Sequence, residues 1–179
     1  MRPTGLLLIC LLAGFVSAQD PRYSSKLAPY VASPSRVVTL MLDMAKVKPG
    51  ETVYDLGSGD GRILVAAAER KANAIGIEIN PKLVLAANDE INRAGVAERA
   101  KVIQGDVMTT DFSSANVITL YMDTGSNAKL RPQLEKYLKP GSRVVSHDYE
   151  IPGWKPVRVE KTDERQSHTV YLYEIGAKK

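Results

Sequence analysis

Apolar positions along this chain switch repeatedly between helical spacing and short unbroken runs. Val37, Leu40, Met41 and Met44 recur at helical spacing. Ser33 reads as the N-cap of that helix with Pro34 at its first position, where the leading N–H groups lack intrahelical partners. Lys48-Pro49-Gly50 ends it. Thr52 to Leu56 is then expected as a strand, Arg62 to Lys71 as a helix with Ile63, Leu64, Ala67 and Ala68 apolar, and Ala74 to Glu78 as a second strand. Pro81 to Ala94 reads as a helix, Lys101 to Gln104 and Val117 to Tyr121 as strands, and Lys129 to Leu138 as a helix stopped by Lys139-Pro140-Gly141. Arg143 to Ser146 is a fifth strand, and the runs Val157 to Lys161 and Thr169 to Ile175 read as a closing antiparallel pair.

Strands alternating with helices imply a parallel sheet covered on both faces, and nearly continuous apolar strands fit burial on both sides. The expected fold class is therefore α/β, a doubly wound, mostly parallel sheet with a C-terminal antiparallel hairpin.

The first residues break this rhythm. Arg2, the apolar run Leu6 to Val16 and the small residues Ser17-Ala18 have the layout of an export signal, with residues 1–18 as signal peptide, 19–27 as a polar linker and 28–179 as the folded domain. The run is shorter than the roughly 20 apolar residues of a comfortable membrane span. Export to the periplasm or exterior is the first expectation; an uncleaved membrane anchor with the domain in the cytoplasm is the alternative. Cys10, the only cysteine, lies inside this segment, so cleavage leaves no disulfide, thiolate nucleophile or cysteine metal site. A net charge of +4 without clustered Lys and Arg gives no nucleic-acid-binding face, and no histidine–carboxylate spacing suggests a metal.

Candidate chemistry gathers where the first strand meets the next helix. Gly57, Gly59 and Gly61 form a turn that lets backbone approach a ligand, with a helix N-terminus behind it. A dinucleotide fingerprint would place a third glycine at position 62, which is Arg62. Asp55 and Asp60 in and before the turn disfavour a pyrophosphate and suit a cationic ligand such as S-adenosyl-L-methionine. Glu78 at the end of the second strand is placed to accept ribose hydroxyls, and Asp106, just after the third, to accept from an adenine amine. Three acids at successive strand ends face the crevice where such sheets bind ligands.

In this order Val53-Tyr54-Asp55-Leu56-Gly57-Ser58-Gly59-Asp60-Gly61-Arg62, Gly76-Ile77-Glu78-Ile79-Asn80-Pro81 and Gly105-Asp106-Val107 resemble the seven-strand, class I S-adenosylmethionine-dependent methyltransferases, from about Ala28 onward. Pro29-Tyr30-Val31, Ser33-Pro34, Arg143 to His147 and Ile151 to Trp154 resemble a smaller subgroup, related to the mitochondrial ATP synthase c-subunit lysine methyltransferase. The resemblance implies a seven-stranded Rossmann-like sheet. It places Asp55, Gly57, Ser58 and Gly59 on the methionine moiety, Glu78 on the ribose, Asp106 and Val107 on the adenine, and Tyr30 and Ser33 over the cofactor.

The methyl group is expected to face the end of the fourth strand, so Tyr121 and Asp123, then His147, are the candidate catalytic residues. Trp154 reads as a packing lid and His168 as structural. The Tyr121-Met122-Asp123-Thr124 segment lacks the Asn/Asp-Pro-Pro-Tyr pattern of adenine and glutamine methylation. A protein lysine is the leading acceptor; a small molecule or lipid, or cofactor binding without turnover, are the competing readings.

Overall fold

The computed structural model describes residues 30–162 and 167–176. The signal-peptide and linker readings, residues 1–27, lie outside the described residues. In chain order the elements are α1 (Ser35–Met44), β1 (Thr52–Leu56), α2 (Arg62–Glu69), β2 (Asn73–Glu78), α3 (Pro81–Arg93), β3 (Ala100–Gln104), β4 (Val117–Leu120), α4 (Thr124–Tyr137), β5 (Arg143–His147), β6 (Arg158–Lys161) and β7 (Thr169–Glu174).

The strands make one seven-stranded sheet in the order β3-β2-β1-β4-β5-β7-β6. The first five pair in parallel; β7 runs antiparallel to both β5 and β6. The α/β, mostly parallel architecture is as expected, and the closing pair is a hairpin whose second strand inserts beside β5. Successive residues alternate between the two apolar layers: Val117 and Val145 pack with α1 and α2, while Ile118, Leu120 and Val144 pack with Leu130 and Leu134 of α4. This follows from the two-residue period of a strand buried on both faces.

Chain order reverses at β1, which lies between β2 and β4. Connections leave β1 and β4 in opposite directions, which opens a crevice at their carboxyl ends. The site sits there.

Two helix starts differ from expectation. Pro34, not Ser33, occupies the N-cap of α1 and makes no side-chain cap. The Ser33 hydroxyl is engaged instead with His147 Nδ1 at 2.9 Å. Helix α4 begins at Thr124, five residues before the expected Lys129, because Asp123 caps it by accepting from the Ser126 N–H at 3.0 Å. Pro132 lies inside α4 without ending it.

Candidate functional site

The turn after β1 is anchored before it is shaped. Gly57 and Ser58 both donate their N–H to the Ile77 carbonyl, at 2.8 and 3.1 Å, which ties the turn to β2. Gly59 has φ +54°, and a Cβ there would lie 2.5 Å from Cε2 of Tyr30. Glycine is thus required twice over, by the left-handed backbone and by the ring against it. Gly61, at φ +81°, starts α2 and would set a Cβ 3.0 Å from that of Ala87, so it also fixes how closely α3 approaches. The Ser58 hydroxyl lies against Gly76, where a side chain would collide with it at 2.5 Å.

The acids stand at successive strand ends. Asp55 is 3% exposed and accepts a hydrogen bond from Thr119 Oγ1 at 2.7 Å. Burial, with Glu78 and Asp60 adding to it against the Thr119 bond, pushes its carboxyl up to about 7. Glu78 is also buried, and its two oxygens accept from the N–H groups of Gly59 at 2.9 Å and Asn80 at 2.8 Å. It therefore braces the glycine turn as well as facing the cleft. Asp106 accepts from the Met108 N–H at 2.8 Å, capping the turn after β3.

Asp60 is different. Arg62 grips it in a fork, with Nε 3.0 Å from one oxygen and Nη2 2.6 Å from the other. The charge of Asp60 is thus paired with the residue that breaks the dinucleotide pattern, and it still adds to the negative field at Asp55. Arg62 Nη1 also donates to the Ser33 carbonyl at 2.8 Å, tethering the segment before α1 across the turn. Tyr30 and Ser33 reach the cleft by this route.

Tyr30, Ser33, Asp55, Gly57, Ser58, Gly59, Glu78, Asp106 and Val107 all line one cleft of about 590 Å³, with Tyr121 and Met122 also in its wall. Its size suits a nucleoside-sized ligand. A buried carboxyl forced up to about 7 beside a second buried carboxylate is the polarity expected of a cation's seat. The residues fit S-adenosyl-L-methionine, whose sulfonium and ammonium carry the complementary charge.

Of the candidate catalytic residues only Tyr121 lines the cleft. Its ring stacks on His147 with centroids 3.8 Å apart, and burial, reinforced by Asp148, raises its hydroxyl so that it stays protonated. His147 is fully buried behind Tyr121 and Ser33, and its placement on the cleft wall is corrected. Burial and the neighbouring His168 hold it well below the usual imidazole range. Asp123 is corrected too: its carboxylate accepts from both the N–H and the hydroxyl of Ser126, as the cap of α4.

Trp154 packs edge-on against Tyr173 and donates to Glu135 at 3.0 Å, as its packing role requires. Asn127, which sequence reasoning missed, is fully buried and donates to Ser146 Oγ and to the carbonyls of Tyr149 and Glu150, holding the loop after β5. His168, 21 residues from His147, meets it at 2.9 Å. Spacing along the chain carries no signal for either contact.

Fold and cleft together define a class I S-adenosylmethionine-dependent methyltransferase. A Salinibacter ruber protein solved with S-adenosyl-L-homocysteine, and described as an RNA methyltransferase, superposes with a TM-score of 0.77 at 43% identity over 83% of this chain and 95% of its own. A protein-lysine N-methyltransferase of Saccharolobus islandicus is 47% identical over 84% of this chain and 96% of its own length. The ATP synthase c-subunit lysine N-methyltransferase of Xenopus laevis is 30% identical over 97% of this chain and 75% of its own. Residues 55–158 match the ANTKMT methyltransferase domain, and the chain belongs to that family.

Proposed function

We propose that the protein transfers a methyl group from S-adenosyl-L-methionine to the side-chain amine of a lysine in a protein. The observation that carries this is 47% identity to a protein-lysine N-methyltransferase, over 84% of this chain and 96% of that relative. Asp55 and the backbone of Gly57 and Gly59 hold the methionine end, Glu78 the ribose, and Asp106 with Val107 the adenine, while Tyr30 and Ser33 close the near side. The bound sulfonium supplies the methyl group and an excellent leaving group. The chain's own task is alignment and exclusion of water. Tyr121 and Met122, in the cleft wall after β4, guide the acceptor. The acceptor amine must be neutral, although its ordinary pKa is about 10.4. Burial in the cleft beside the Tyr121 ring favours that form. His147 acts behind Tyr121 as a positioning residue, whereas Asp123 only caps α4 and takes no part in the transfer.

Export through the N-terminal segment belongs to the same proposal, on the strength of Arg2, the Leu6 to Val16 run and Ser17-Ala18. No helix among the described residues is long and apolar enough to cross a membrane. An intact mass beginning at Gln19 is the expected result for mature protein; a mass retaining residues 1–18 refutes cleavage.

The acceptor is tested by incubating purified enzyme with tritiated-methyl cofactor and fractionated cell extract. Label recovered as methyl-lysine after acid hydrolysis is expected. Label that is lost to ribonuclease, or confined to small molecules or lipid, overturns the lysine reading.

A further inference from the structure

Outside the cofactor cleft, three side chains aim their donor atoms at one point. His147 Nε2, His168 Nδ1 and Asp148 Oδ2 form a triangle with edges of 2.9, 2.9 and 3.2 Å. We propose that this triangle is a site for a first-row divalent transition metal of the zinc class.

Protons alone satisfy at most two of its three edges. A neutral imidazole carries one N–H, directed in the plane of its ring. If His147 holds its proton on Nδ1, its bare Nε2 accepts from His168 but faces the Asp148 carboxylate lone pair to lone pair. If the proton sits on Nε2 and both histidines donate to Asp148, two N–H groups confront each other at 2.9 Å. If either donates to the other instead, one edge to the carboxylate lacks a proton. A cation at the centre turns all three edges into ligand–ligand contacts. Metal–ligand bonds of about 2.0–2.1 Å separate ligand atoms by roughly 2.9 Å in a facial octahedral set and roughly 3.3 Å in a tetrahedral one. The observed edges span that interval.

The surroundings hold the three ligands in place. Ser33 Oγ lies 2.9 Å from His147 Nδ1, the outer hydrogen bond that ligating imidazoles make. The second oxygen of Asp148 accepts from the Thr169 N–H at 2.8 Å, which aims Oδ2 at the histidines. Asp148 itself is held in the left-handed region at φ +58°, a conformation that costs a non-glycine residue energy and clusters at functional sites. His147 is buried, while Asp148 and His168 are partly exposed, so the triangle is reachable from their side. Two imidazoles, one carboxylate and no thiolate suit zinc and its first-row neighbours better than calcium or magnesium. The ion joins the end of β5 to the start of β7 directly behind Tyr121.

Untagged full-length protein, stripped with chelator, is titrated with zinc sulfate by calorimetry, and with cobalt(II) while visible absorption is recorded. One equivalent of zinc binding tighter than about 1 μM, with cobalt bands of a low-coordinate nitrogen–oxygen site, is expected. His168→Ala and Asp148→Asn should each weaken zinc at least tenfold while S-adenosyl-L-methionine affinity stays within about threefold, which also reports that the variants are folded. Wild-type zinc affinity weaker than about 100 μM overturns the site whatever the variants do. So does undiminished zinc binding in both folded variants.

Discussion

Asp55 is a buried carboxyl whose protonation links stability to its proposed role in binding. Its carboxyl titrates near 7 in the folded protein and near 3.9 when unfolded. The folded state therefore binds the extra proton between those values. The stability this confers is complete below about pH 4 and is lost as pH rises through 7, at up to roughly 1.4 kcal/mol per unit. Asp55→Asn should raise the melting temperature of cofactor-free protein at pH 8 and weaken S-adenosyl-L-methionine binding. Wild-type affinity should fall below pH 7, by at most about tenfold per unit, as calorimetry across pH 5.5–8 would record; a flat profile counts against Asp55 as the cation's partner. Glu78→Ala removes the proposed ribose acceptor and strands the N–H groups of Gly59 and Asn80. Affinity loss of at least about 100-fold, together with a lower melting temperature, is expected from charge-assisted hydrogen bonds of this kind.

At the scale of elements, the start of α4 separates a cap from a catalyst. Asp123→Ala should lower the melting temperature by a few degrees and leave kcat unchanged; a hundredfold fall in kcat would return Asp123 to the reaction. The same helix explains what the sequence conceals. Gly125, Ser126 and Asn127 have the composition of a loop, so the apolar period emerges only at Leu130. Asn127 is nevertheless buried, because its partners at 146, 149 and 150 come from another element. Ser33 reads as a cap for the same reason: its engagement with His147 spans 114 residues. The acids at 55, 78 and 106 are legible because each stands at or just beyond the end of its own strand. The pairing of Asp60 with Arg62 is not, because spacing alone does not tell which side of a turn a side chain takes.

Across the whole molecule, alternating periods reveal the layered sheet and the crevice at β1, but not the order of the last two strands. Strand order among antiparallel partners depends on which edge is left to cover, which no local pattern records. Since the cleft gathers residues from the segment before α1 through to the end of β4, ligand binding should be felt globally. S-adenosyl-L-methionine at 100 times its dissociation constant should add about 2.7 kcal/mol, raising the melting temperature by roughly 5–10 °C in a thermal-shift titration. No shift would mean that the cofactor does not select the folded state. The placement of β7 has a consequence for synthesis. It is made after β5 and β6 yet lies between them, so β6 has no neighbour in the sheet until Thr169 and the residues beyond it exist. A nascent chain paused before that point exposes the edge of β5, with Val144 and Val145 along it, to other chains. Stalled ribosomes should therefore yield a product that needs a chaperone on that edge or aggregates, however complete its cofactor cleft already is.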